Sequence, residues 1–168
     1  MNSKIMPLSE AILRFVKDGQ KIYIGGFTHC VPYAAVHEII RQGIKDLEVC
    51  KMVPELVLEQ MIAAGACKKI VFSWGGNPGL GNLRLFRSAC EKGEPYKIEI
   101  EEYTHHGLLL RLYAGASGLP FMIFKSNFGS DLPRFNEAIK AIQCPYTGEL
   151  LSTVPAYNAD VAIFHAQR

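Results

Sequence analysis

The amino-acid sequence predicts an α/β fold: an open parallel sheet with helices on both faces. Short β-like runs alternate with amphipathic stretches along the chain, the pattern of β-α-β units. Glycine or proline punctuates the junctions, where strands end and helices start or stop. Of 168 residues, 49% are hydrophobic and 20% charged, which suits one domain with a real core and makes no strong case for two.

The elements follow in order. MNSKIMPLSEAILRFVKDGQ reads as a short amphipathic helix and lacks the apolar core of a signal peptide. IYIG (22–25) is the first strand. It precedes VPYAAVHEIIRQG, where Pro32 suits a first helical turn and Gly43 a stop. LEVCKMV (47–53) and PELVLEQMIAAG repeat the unit, with Pro54 opening the helix and Gly65 closing it. KKIVFS (68–73) runs into the loop WGGNPGLG and then the helix NLRLFRSACEKG. YKIEIEE (96–102) leads to the helix THHGLLLRLYAG, and LPFMIF (119–124) and DVAIFHA (160–166) supply the last strands. Residues 126–159 carry Pro133, Pro145, Gly148 and Pro155 and read as a long irregular excursion around one short helix. A connection of that length is usually functional or part of an interface.

Charge and cysteine content exclude several classes. The formal net charge is +2 with no basic block, so neither a nucleic-acid face nor a membrane-surface patch is expected. No apolar stretch is long enough to span a bilayer as a helix. Cys30, Cys50, Cys67, Cys90 and Cys144 are odd in number and include no C-x-x-C, so they read as reduced, mostly buried thiols of a cytoplasmic protein with no metal.

Open parallel sheets bind ligands beyond the carboxyl ends of their strands. Gly25-Gly26, Ser73 through Gly81 and Glu101-Glu102 all stand at such ends, and the fold is expected to bring them to one edge. A glycine pair there means that the backbone approaches something closely. The loop SWGGNPGLG fails as a Walker loop, because Asn82-Leu83 follow Gly81 where Lys-Ser/Thr is needed, and it fails the dinucleotide spacing as well. What survives is a glycine-rich strand-to-helix turn, either able to hold an oxyanion or phosphate or chosen for geometry alone. Period-2 alternation puts Glu102 with Ile98 and Ile100 on the buried face and Glu101 toward solvent. A carboxyl so placed has a raised pKa suited to acid, base or nucleophile chemistry, unless a salt bridge or the Thr104 turn engages it. His29, His105 and His106 are acid–base candidates or structural hydrogen-bonders, and Ser73 lacks a hydrolase elbow.

GGF followed by four residues and Pro32, then the stretches SWGGNPG, IEIEEYTHHG, AGASGLPF and ADVAIFHAQR, together resemble the alpha subunit of family I coenzyme A transferases. The glutaconate CoA-transferase alpha-subunit type is the nearest, and the resemblance runs from about Leu8 to Arg168. It implies a parallel α/β domain paired with a beta subunit in a hetero-oligomer, the active site lying between them. A glutamate of the beta subunit would attack the acyl-CoA carbonyl, pass through an anhydride and become a glutamyl-CoA thioester, which an acceptor carboxylate reverses. The alpha chain would give backbone N–H groups of Gly25 and Gly26 to the oxyanion. Phe27, Ser73, Gly75, Gly76, Asn77 and Gly79 would line the place of the CoA thioester, a substrate, with no permanently bound cofactor.

Two departures matter. Many relatives read GGF-x-x-x-G-x-P, whereas this chain is one residue shorter there and lacks that glycine. Family alpha subunits also continue past HAQR, so the resemblance implies that the C-terminal part of the family domain is missing here. Exposed apolar surface, dependence on a partner and an inactive isolated chain are then expected. A related branch of ring-opening acyl-CoA hydrolases carries a catalytic glutamate where this chain has Glu102. Besides the transferase, the alternatives are one part of such a hydrolase and a catalytically silent assembly module. The acyl group stays open: glutaconate, acetoacetate and other short acids would all fit.

Overall fold

The structure, a computed structural model, describes residues 4–167; Arg168 of the terminal motif and the first three residues of the N-terminal stretch lie outside them. The chain divides into two compact units, Met1–Ile100 with Ala159–Arg168 and Glu101–Asn158.

The first unit holds α1 (Leu8–Phe15), β1 (Lys21–Ile24), α2 (Tyr33–Arg41), β2 (Leu47–Cys50), α3 (Glu55–Ala63), β3 (Cys67–Phe72) and α4 (Arg84–Glu91). With β4 (Glu99–Glu102) and β8 (Val161–Ile163) its strands form a sheet in the order β4-β3-β2-β1-β8. β1 pairs in parallel with β2 and β8, and β2 pairs in parallel with β3, so the parallel α/β class stands as expected. Successive strands step one way across the sheet, and right-handed crossovers therefore set their helices side by side. α1 packs on α2, α2 on α3 and α3 on α4.

The core follows from periodicity. Ala35, Val36 and Ile39 of α2 and Val57, Leu58, Met61 and Ile62 of α3 form one buried stripe on each helix. Ile22, Ile24, Val49 and Ile70 are fully buried in the strands they cover. Both helices start directly after the prolines the sequence marked, and both are followed by a glycine in the left-handed region, Gly43 at φ 70° and Gly65 at φ 69°. None of the five cysteines is in a disulfide; Cys50 and Cys67 are buried, but Cys30 is exposed. Burial pushes the Cys67 thiol up to about 12, so it is an inert core side chain.

The second unit is an antiparallel sheet under a helix. β5 (Phe121–Phe124), β6 (Lys140–Gln143) and β7 (Leu150–Pro155) run in the order β5-β7-β6, both pairings antiparallel, and α5 (His105–Ala116) packs on β5 and β7. Two expectations fail here. LPFMIF is a strand of this second sheet, not of the parallel one, and the supposed excursion 126–159 contains α6 (Leu132–Phe135), β6 and β7. Of the prolines that suggested irregularity, Pro133 lies in the first turn of α6, Pro145 in the hairpin turn, and Pro155 is the last residue of its strand. Hydrogen bonds from Cys144 N to Glu149 O (2.8 Å) and from Gly148 N to Cys144 O (2.9 Å) close that turn.

Thr104 caps α5, its hydroxyl oxygen accepting from Gly107 N at 3.0 Å. Near its other end, a Cβ on Gly115 would stand 2.3 Å from Tyr157 O. Alanine usually stabilises a helix interior over glycine by about 1 kcal/mol. Here overpacking reverses the sign: Gly115→Ala is expected to destabilise the protein by about 1–3 kcal/mol in a urea titration.

Candidate active site

At the end of β1 the two glycines do different work. Gly25 still belongs to the sheet, its N–H donating to Ile163 O at 2.9 Å, and a Cβ there would meet the Phe164 ring at 2.4 Å. Gly26 leaves the sheet at φ 87°, and a Cβ on it would stand 2.4 Å from Cys30 O. The chain folds back so tightly over 26–30 that only glycine fits. Phe27 and His29 close the turn by exchanging backbone hydrogen bonds, and Thr28 and Cys30 take the left-handed region at φ 58° and 54°.

A third left-handed residue explains how this turn is held. Glu55, the first residue of α3, has φ 52°. Its Oε1 accepts from Thr28 N at 2.7 Å, and its own N–H donates to Gly76 O at 3.3 Å. Lys51, just past β2, donates from Nζ to Gly26 O at 2.7 Å and lies 2.8 Å from Glu55 Oε2. That last contact is a buried ion pair. Lys51 is 1% exposed and Glu55 2%. Strained backbone of this kind costs about 1–3 kcal/mol per residue and persists where its surroundings over-determine it. Three such non-glycine residues meet here.

The donors can be counted. Gly25, Phe27, Thr28 and His29 have their N–H groups engaged by Ile163 O, His29 O, Glu55 and Phe27 O. Among the described residues none accepts from Gly26 N–H or from Cys30 N–H. The glycine pair expected to act together therefore divides, with Gly25 closing the sheet and Gly26 leaving a donor open.

The second loop is joined to the first through Glu55 and Gly76. Ser73 is buried, and both its N–H (3.0 Å) and its hydroxyl (2.7 Å) donate to Met52 O, clamping the ends of β2 and β3 together. The Trp74 ring covers Gly76, where a Cβ would stand 2.6 Å from it. Asn77 and Gly81 pair across the loop, Gly79 sits at φ 77°, and Gly75 is exposed. The helix that follows this turn is already capped by a side chain. The N–H groups of Leu85 and Phe86, which open α4, each donate to the Glu59 carboxylate at 3.0 Å. A resident anion already holds the helix N-terminus.

Glu101 and Glu102 lie at the end of β4, in the second unit, and their expected orientations are exchanged. Glu102 is exposed, whereas Glu101 is half-buried, accepting from Arg111 Nη1 at 2.5 Å and from the Tyr103 hydroxyl. The Arg111 guanidinium lies 4.4 Å from the Tyr103 ring centre and 5.3 Å from that of Tyr157, and its Nε donates to Pro155 O at 3.0 Å. Strict alternation breaks at Glu99-Ile100, both exposed, because the chain leaves one core and enters another there. Although exposed by area, Glu102 has enough protein around its carboxyl for desolvation to raise its pKa above the ordinary carboxylate value. Of the histidines, His29 is exposed on the Gly26 turn, and the exposed His105 and His106 open α5, His106 meeting the Phe124 ring edge-on.

Sequence reasoning missed Lys51 and Glu55. The available signal was a lysine inside the apolar run LEVCKMV with a glutamate four residues on, since both types are almost never fully buried unless paired.

The family model of coenzyme A transferases matches residues 5–168. The chain belongs to the coenzyme A transferase family. Over 166 residues it is 51% identical to the A-type subunit of a 3-oxoadipate CoA-transferase from Pseudomonas knackmussii, covering 99% of this chain and 59% of that protein. The crystal structure of glutaconate coenzyme A-transferase from Acidaminococcus fermentans matches with a TM-score of 0.88 at 34% identity, over 98% of this chain and 57% of the crystal chain. The IpdA subunit of a cholesterol ring-cleaving hydrolase from Rhodococcus jostii is 29% identical over 162 residues, 89% of this chain and 52% of that protein. This coenzyme A transferase chain thus spans less than two thirds of each of these relatives.

Two of these carboxylates can be tested through stability. Glu59→Ala strips two N–H groups of α4 of their acceptor and should cost about 0.5–2 kcal/mol in a denaturant titration. For Glu102 the folded pKa lies above the unfolded one, so ionisation opposes folding, and the penalty grows as pH rises past the unfolded value. Glu102→Gln should therefore stabilise the protein at pH 7 relative to wild type, and the gain should vanish near pH 3 when unfolding is compared at both.

Proposed function

We propose that this chain is the alpha-type part of a CoA transferase that moves coenzyme A between small carboxylic acids, with a glutamyl-CoA thioester formed on a partner beta subunit. The observation that supports it most is the 51% identity to the A-type chain of a 3-oxoadipate CoA-transferase along 99% of the sequence. It also favours a dicarboxylic 3-oxo acid among the acids that would fit. The open Gly26 N–H suits the chemistry.

The partner's glutamate adds to the thioester carbonyl, CoA thiolate leaves and an acyl-glutamyl anhydride forms. The thiolate then attacks the glutamyl carbonyl and releases the carboxylate, giving the enzyme thioester. The acceptor carboxylate runs both steps backward. Each addition puts a negative charge on a carbonyl oxygen, and a fixed backbone donor such as Gly26 N–H is worth most at that moment. Phe27, half exposed on the Gly26 turn, and the Ser73–Gly79 loop would flank the CoA thioester. Ser73 would serve by fixing the loop, since its hydroxyl is engaged with Met52 O.

The test uses the protein purified with whatever co-purifies, labelled 3-oxoadipate as acceptor and a series of short and dicarboxylic acyl-CoAs as donors. Labelled CoA thioester should form, and borohydride should inactivate the complex by modifying a glutamate in a co-purifying chain. Acyl-CoA hydrolysed without exchange would overturn the reading and direct attention to Glu102. Gly26→Val should lower exchange by about 10²–10³ while the partner still co-purifies.

A further inference from the structure

The buried pair under the Gly26 turn has a role that neither its family membership nor its packing assigns. We propose that Lys51 and Glu55 are positioning residues: through Gly26 O and Thr28 N they hold the turn in the one conformation that leaves Gly26 N–H open to an anionic oxygen. This rests on the transferase reading for the identity of that oxygen, and on geometry alone for the holding.

The arrangement is costly. Two charges are removed from water at the carboxyl ends of adjacent strands, where hydrophobic residues of similar volume would be at least as stabilising. Both charges act on one segment. The Lys51 ammonium fixes the carbonyl of the Gly26–Phe27 peptide at 2.7 Å, and the Glu55 carboxylate fixes the N–H of the Phe27–Thr28 peptide at 2.7 Å. Those anchors stand on either side of Phe27 and determine how the turn is rotated about Gly26. The turn's own hydrogen bonds, between Phe27 and His29, lie beyond Gly26 and leave that rotation undetermined. Glu55 is itself pinned, its N–H on Gly76 O and its backbone in the left-handed region, so the carboxylate is presented from a fixed base. A cluster that served packing alone would not require a strained glutamate aimed at a backbone N–H.

The experiment compares wild type, Glu55→Gln, Glu55→Asp and Lys51→Met/Glu55→Gln in the complex as purified with its partner. The double variant removes both charges at once, so no lone buried charge remains, and the introduced amide oxygen can still accept from Thr28 N. Glu55→Gln alone leaves the Lys51 charge unpaired and is the harsher variant, so Glu55→Asp, which keeps both charges and shortens the reach to Thr28 N, serves should the double one fold poorly. Two measurements are made on each: amide hydrogen exchange over 26–30 against the core amides of β1, and kcat and KM for CoA exchange. The expected result is loop exchange accelerated tenfold or more with β1 protection unchanged, and kcat lowered at least tenfold with KM for acyl-CoA within twofold. Unchanged loop exchange in the double variant overturns the holding role. A loosened loop with kcat unchanged overturns its link to the oxyanion. A wild-type complex that exchanges no CoA overturns the transferase reading, and the amide measurement still decides whether the pair holds the turn.

Discussion

The Lys51–Glu55 ion pair is the constraint on which the arrangement of the first unit's loops depends. It joins three segments that are remote in sequence: the turn after β1 through Gly26 and Thr28, the end of β2 through Lys51, and the loop after β3 through Gly76. A parallel sheet delivers those segments to one edge but does not fix them to each other, because each ends in a loop of its own. Hydrophobic contact could not do so either, being indifferent to direction. A buried cation and carboxylate can, because an uncompensated charge in that environment costs far more than a lost apolar contact, so the loops have one arrangement in which both charges are met.

Other polar groups are disposed in the same way. Ser73 and Glu59 are residue types often associated with chemistry, yet both are consumed in holding backbone: Ser73 on Met52 O and Glu59 on the first N–H groups of α4. Glu101 is similarly engaged by Arg111 and Tyr103. Of the backbone N–H groups from Gly25 to Cys30, those of Gly26 and Cys30 have no acceptor among the described residues.

The strands and helices of the first unit were legible in the sequence chiefly because α2 and α3 each carry a 3.6-residue apolar stripe bracketed by a proline and a glycine, Pro32 with Gly43 and Pro54 with Gly65. In the second unit α5 and the strand β5 were legible, but β6 and β7 were not, because Pro145 and Pro155 mark irregular chain as readily as a hairpin. Glu102 was misplaced for a related reason. Alternation reports which face of a strand is buried only while one core lies against it, and β4 passes from one unit to the other at Ile100. The glycine pair was recognised as a close approach of backbone, but composition could not divide the two roles. Gly25 is needed for the Phe164 ring far along the chain, and Gly26 for the carbonyl of Cys30 only four residues away.

Lys51 and Glu55 escaped sequence reasoning because their signal is the inverse of the one usually sought. Site residues are expected in loops and glycine-rich turns, whereas these interrupt an apolar run and open a helix, positions where a charge is normally read as a solvated edge. Burial turns that reading around. A lysine at the end of a central strand has no route to water, and four residues on there is one carboxylate to meet it, but only if the backbone at Glu55 accepts a left-handed φ that a β-carbon disfavours. The strain at Glu55 and the glycine at 26 are therefore two ends of one geometric problem. Turning the chain sharply after β1 requires a residue without a side chain, and holding that turn against relaxation requires a side chain presented from a place where the backbone itself is strained.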